Sequence, residues 1–161
     1  GMLAALEIQL GRTSYALGNR PTAVDAILLG GLRAHTNADP LPDLSNYLKI
    51  QDWDHTNASQ WNGEGELAAF FESTPFAAHI LKIAREQYAP FVLGNAAALA
   101  SGQKAFVIDT YGEPASYLAR PYPEQSRKMV QARIRDRLSD VERSEVLAWL
   151  DKEGLRKAFA P

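Results

Sequence analysis

The chain has no cysteine, which excludes disulfides, thiolate metal sites and a cysteine nucleophile. That absence fits a cytoplasmic protein. No apolar run approaches the roughly 20 residues of a membrane span, and the N-terminus lacks the charged-then-apolar pattern of a secretion signal. Neither sign of charge dominates: 17 Lys and Arg stand against 19 Asp and Glu, a net charge of −2. No global positive field therefore draws nucleic acid or acidic lipid. Histidine occurs only three times, never with H-x-x-x-H spacing, and P-loop, G-x-S-x-G and dinucleotide fingerprints are all missing. These gaps remove the chemistries a sequence shows most readily.

What is present organises around Pro21–Leu32. Thr22 is a natural N-cap whose hydroxyl can accept from the Asp25 backbone N–H, while Asp25 reaches back to the Thr22 N–H. Val24, Ile27, Leu28 and Leu32 make one face, and Ala26 and Leu29 leave little polar surface opposite. A helix apolar nearly all round is expected to be buried on most sides. Gly30 and Gly31 each cost up to about 1 kcal/mol of helix propensity, so a neighbouring helix backbone is expected to approach there. His35 falls near the C-terminus of this helix, where a cation suits the dipole.

At 161 residues the chain reads as a single domain, residues 1–161, able to bury a core. Gly1-Met2 reads as a tag scar. Leu3, Leu6, Leu10 and Leu17 lie on one stripe, which predicts a first helix over 3–17 stopped by Gly18. Residues 36–43 are a proline-containing breaker, and 44–50 reads as a short helix. Residues 51–65 are polar and read as loop, with 66–71 as one or two helical turns. Thr74 and Pro75 cap a helix that Pro90 should kink or break. Ala105–Leu118 changes period and reads as a β-hairpin, with a loop over the helices as the alternative. A further helix from Pro123 carries Met129, Val130, Ile134 and Leu138 inward. Ser139 and Glu142 form a capping box for the last helix, which Gly154 ends.

Candidates for chemistry are few. Asp52-Trp53-Asp54-His55 is the densest set of ligand-type residues, and it reads as an exposed acidic loop rather than a metal site. His79 reads as a solvent-facing or helix-packed residue. Arg127, Lys128, Arg133, Arg135 and Arg137 make a basic stretch answered by Asp136, Asp140, Glu142 and Glu145, hence a salt-bridged face. Trp53, Trp61, Tyr88 and Phe91, with Tyr111 and Tyr117, could line an apolar pocket, although aromatics at this density more often belong to a core. Asn57-Ala58-Ser59 is a formal glycosylation sequon that reads as chance.

Leu3-Ala-Ala-Leu6-Glu-Ile-Gln-Leu10, Tyr15-Ala-Leu17-Gly18 and Asn19-Arg20-Pro21-Thr22-Ala-Val-Asp25, in that order, resemble the all-helical C-terminal domain of the glutathione S-transferase family. The resemblance covers residues 3–50, with 60–161 as a subfamily extension. It implies a mostly α, glutathione-transferase C-terminal-like bundle in which Thr22 and Asp25 form a structural capping box. It also implies a hydrophobic substrate wall and dimer contacts, with no catalytic residue, metal or cofactor site in this chain. Glutathione would be held by a thioredoxin-like domain, in cis or in trans, for which no βαβ pattern precedes residue 3. The family's first C-terminal-domain helix is missing too, so the Leu stripe is expected to lie exposed unless another chain covers it; a homodimer follows. The alternative is a non-catalytic protein-interaction module of the same fold.

Overall fold

The computed structural model describes residues 1–36, 44–56, 61–69 and 74–161, the side chains of 33–36 excepted. The sequon at 57–59 and most of the breaker at 36–43 lie outside the described residues, as does the His35 side chain. The protein is mostly helical, with one small antiparallel hairpin. It divides into two compact units, Gly1–Ile80 and Leu81–Pro161, and each has its own apolar core.

The first unit contains α1 (Met2–Leu10), α2 (Ala23–Thr36), α3 (Leu48–His55) and most of α4 (Pro75–Ile83). Its core is Leu6, Tyr15, Ala16, Ile50, Trp53 and Phe76, with Leu3, Leu10 and Leu17 packed against it. Leu6 of the Leu stripe is thus buried within the chain, and Leu3, Leu10 and Leu17 are partly buried beside it rather than wholly exposed. Helix α1 stops at Leu10 rather than running to Leu17. Gly11 weakens the helix, and the Thr13 hydroxyl bonds the Gln9 and Tyr15 carbonyls instead of letting the turn propagate. The chain then reverses through a Tyr15–Gly18 bridge.

Gly18 has φ +139°, and a Cβ there would lie 2.6 Å from the Glu66 carbonyl oxygen. Only glycine fits, because Gly18 also pairs with Leu67. The last two residues of the helical turns expected at 66–71 lie outside the described residues, and residues 66–69 are not helical, with Leu67 in a bridge to Gly18. Their backbone polar groups go to residues 17–19 rather than to each other: Asn19 N–H donates to Glu66 O (2.8 Å) and Ala68 N–H to Leu17 O (2.8 Å). The 51–65 loop is corrected as well, since α3 runs through His55. Its polar composition hides that Ile50 and Trp53, one helical turn apart, suffice to dock it.

The second unit begins with the end of α4, followed by a π-helical turn, Ala84–Tyr88, and α5 (Ala89–Ala100). Pro90 sits in the first turn of α5. Its ring clashes with the carbonyl four residues back, and the π turn ahead of it absorbs that misfit without breaking the rod. Strands β1 (Ala105–Thr110) and β2 (Glu113–Leu118) pair antiparallel, Ala105 with Leu118 through Thr110 with Glu113. Tyr111 and Gly112 have φ 56° and 88°, a mirror-image type I′ turn suited to a two-residue hairpin. The hairpin lies on α5 at Gly94, where a Cβ would meet Phe106 at 2.7 Å.

Helix α6 (Pro121–Arg137), α7 (Asp140–Lys152) and the short α8 (Arg156–Phe159) complete the unit. Ile134 is buried and Leu138 packs on the core, but Met129 and Val130 are exposed, against expectation. Helix α6 spends its inward face on α5 and α8 through Ile134, Arg127 and Gln131, which turns those two residues outward. The Ser139–Glu142 capping box forms as expected, and Gly154, at φ +70°, closes α7. No helix among the described residues is long and apolar enough to cross a membrane.

Candidate functional site

The Thr22–Asp25 junction is tighter than local capping requires. Asp25 is 3% exposed. Its Oδ2 accepts from the Thr22 N–H (2.8 Å) and the Thr22 hydroxyl (2.9 Å), while Oδ1 accepts from the Ala16 N–H (2.8 Å). The Thr22 hydroxyl in turn accepts from Val24 N–H (3.2 Å), not from the expected Asp25 N–H. One carboxylate therefore caps α2 and locks the Tyr15–Gly18 turn, whose backbone has no water within reach at the buried Ala16.

Beyond that junction α2 departs from expectation. Val24, Leu28, Leu29 and Leu32 pack against the first core. Ile27 is 73% exposed, and Ala23, Ala26, Gly30 and Gly31 are exposed beside it. Among the described residues no atom approaches a Cβ built on Gly30 or Gly31 within 4 Å. Against the expectation of burial on most sides with a helix backbone close to the glycines, one face of α2 is covered and the other, among the described residues, is an open apolar strip.

A second anchoring carboxylate was invisible in the sequence. Glu7, on α1, accepts from the backbone N–H groups of Lys49 (2.9 Å) and Ile50 (3.0 Å) at the start of α3. It supplies the cap that Tyr47, the N-cap residue of α3, does not, and a negative group suits a helix N-terminus.

The four aromatics proposed as a pocket are divided between the units. Trp53 is in the first core, and Trp61 packs at its margin with the Arg20 guanidinium 5.5 Å from its ring centre. Tyr88 and Phe91 belong to the second unit. There Phe91 sits edge-on to Tyr117 (5.3 Å between ring centres) and against Phe106 (5.5 Å), and Tyr88 stacks on Phe159 (6.1 Å). These rings fasten the hairpin and α8 to α5. Tyr111 stands exposed on the turn.

Two polar clusters hold the second unit together. Asn95, fully buried in α5, donates to Arg120 O (3.0 Å) and accepts from Arg120 N–H (2.8 Å), which fixes the entry to α6. Arg127 forks onto Glu124 (2.7 and 2.9 Å) and donates to Ala158 O (3.2 Å). The hydrogen bond from Arg127 holds the Glu124 carboxyl below its ordinary range; desolvation opposes this, and the charges of Arg127 and Lys128 add to the lowering. The basic stretch is thus answered first by Glu124, which the sequence reading overlooked, then by Asp136 on Arg135 (2.7 Å). A half-open groove of about 360 Å³ runs beside Glu124, lined by Ala96, Leu99, Ala100, Pro121, Gln125 and Lys128. Glu124 and Lys128 already pair there (3.4 Å).

Asp52 and His55 are exposed on α3, not on a loop, while Trp53 between them is buried. His79 is half-buried on α4. Among the described residues no three His, Cys, Asp or Glu side chains converge as a metal site. The arrangement offers caps, anchors and surfaces. No protein family, curated protein or solved structure matches the chain.

Proposed function

We propose that this chain is the C-terminal helical domain of a glutathione-transferase-like protein, contributing an apolar wall and inter-domain contacts and doing no chemistry by itself. The observation that carries the reading is the Asp25 junction. Helix, tight turn at Gly18 and Thr22-x-x-Asp25 box occur in the order on which the resemblance rests, and Asp25 serves turn and helix together. The open strip of α2 supports it. Two glycines in a helix interior cost up to about 2 kcal/mol together, yet nothing among the described residues approaches them. In this reading the strip receives the helix and the thioredoxin-like domain that lie outside this chain. Glutathione and the group that activates its thiol belong to that domain.

The test is to join a glutathione-binding thioredoxin-like domain ahead of Leu3. The joined protein should be retained on glutathione-agarose and conjugate an electrophilic aromatic substrate faster than the thioredoxin-like domain alone. This chain alone should do neither. A joined protein no faster than the added domain contradicts the reading and favours a protein-interaction module.

A further inference from the structure

The hairpin has two edges, and they differ. The type I′ turn makes Thr110 and Glu113 a hydrogen-bonded pair. In an antiparallel ladder such pairs alternate with pairs whose N–H and C=O groups point outward. Continuing the count, Ile108, Phe106 and Lys104 bond to β2; the Ala119 N–H to Lys104 O bond (2.9 Å) verifies the register. Ala105, Val107 and Asp109 therefore present their backbone groups to the outer edge of β1, where no protein group receives them among the described residues. The outer edge of β2 is different. Pro114, opposite Asp109, occupies an outward position without an N–H, a device that blocks further pairing. Strand β1 lies beside β2 and on α5.

We propose that β1 pairs edge to edge with β1 of a second copy of this chain, joining two hairpins into a four-stranded antiparallel sheet. The dyad passes through Val107, so that Val107 faces its own copy and the whole strand is paired. That register supplies about six backbone hydrogen bonds. It sets Phe106 opposite Ile108 of the second copy, twice, and aromatic with β-branched is a favourable cross-strand pair. On the outer face exposed Val107 and Leu118 form one strip with their copies. Charge selects this occupant. By alternation, Lys104, Thr110 of the second copy and Glu113 of the second copy fall in one row on one face, with only small Thr110 between the charges. The span is two strand spacings, roughly 9.5 Å, which the two side chains bridge. Neither Lys104 nor Glu113 has an ionic partner among the described residues. No like charges oppose each other in this register, whereas moving the dyad two residues toward the turn, a register shift of four, places Asp109 against its copy. The contact is independent of the glutathione-transferase reading, because it rests on the hairpin alone.

The experiment is sedimentation equilibrium on the whole chain, with amide exchange at Ala105 and Val107 as a site-specific readout. Wild type should be a dimer at tens of micromolar, with both amides protected there and exposed on dilution. Val107→Pro removes the central outward N–H, which takes no part in β1–β2 pairing, and should be a monomer with an unchanged far-ultraviolet spectrum. If that variant fails to fold, the charges decide: Lys104→Glu or Glu113→Lys should weaken the dimer roughly tenfold, and the double exchange should restore it. A wild-type monomer, or a dimer unmoved by any of these changes, overturns the proposal.

Discussion

Replacing Asp25 by alanine removes three hydrogen bonds at once and separates turn from helix. The capping contribution lost with the box is about 0.5–2 kcal/mol. The Ala16 N–H is then left buried with no acceptor, a further cost of about 1–3 kcal/mol. The two effects act on different donors, Thr22 and Ala16, so a loss of about 3 kcal/mol is expected. For a chain of this length that corresponds to a fall in Tm of about 6–12 °C. Urea unfolding followed by circular dichroism measures it. Thr22→Ala should cost only about 1 kcal/mol, because Ala16 keeps its acceptor. The double variant should lose less than the sum, since the two side chains share a hydrogen bond. An Asp25→Ala chain within about 0.5 kcal/mol of wild type, or strict additivity with Thr22→Ala, would refute the idea that one carboxylate holds both sides.

Gly30→Ala and Gly31→Ala should each stabilise the chain by about 1 kcal/mol, because their Cβ atoms meet no other described residue; a destabilised variant in thermal melts would show that something packs there. Glu7→Gln should leave α1 intact but speed amide exchange at Lys49 and Ile50, whose N–H groups it receives; unchanged exchange at both would remove Glu7 as the cap. Asn95→Ala should cost about 2–4 kcal/mol, from two lost buried hydrogen bonds and a small cavity, read as a shift of the urea midpoint. Glu124 is held below its ordinary value in the folded state. Its contribution is therefore complete above the ordinary glutamate range and lost as pH falls through the folded value. Glu124→Gln should flatten the acid limb of stability against pH, and an identical limb would contradict the assignment.

What was legible in the sequence was local chemistry. Thr22 with Asp25, Thr74 with Pro75 and Ser139 with Glu142 each sit within one turn of the groups they bond, and the hairpin announces itself by its change of period. Long-range anchors were not legible. Glu7 meets Lys49 across 42 residues and Asn95 meets Arg120 across 25, and neither pairing leaves a periodic trace. The error on α2 has another origin. Its residues are apolar on nearly every side, and composition records what a face would accept, not whether anything in the chain reaches it. The first helix failed differently, because Leu17 continues the spacing of Leu3, Leu6 and Leu10 only by coincidence while Gly11 and Thr13 end the helix.

In the function proposed above, the bare side of α2 receives a thioredoxin-like domain. Calorimetric titration of the chain with a glutathione-binding thioredoxin-like domain, wild type beside Ile27→Arg, tests it most directly. The account predicts saturable binding by wild type that the arginine abolishes while the melting temperature stays unchanged. No binding by wild type, or equal binding by Ile27→Arg, would contradict it.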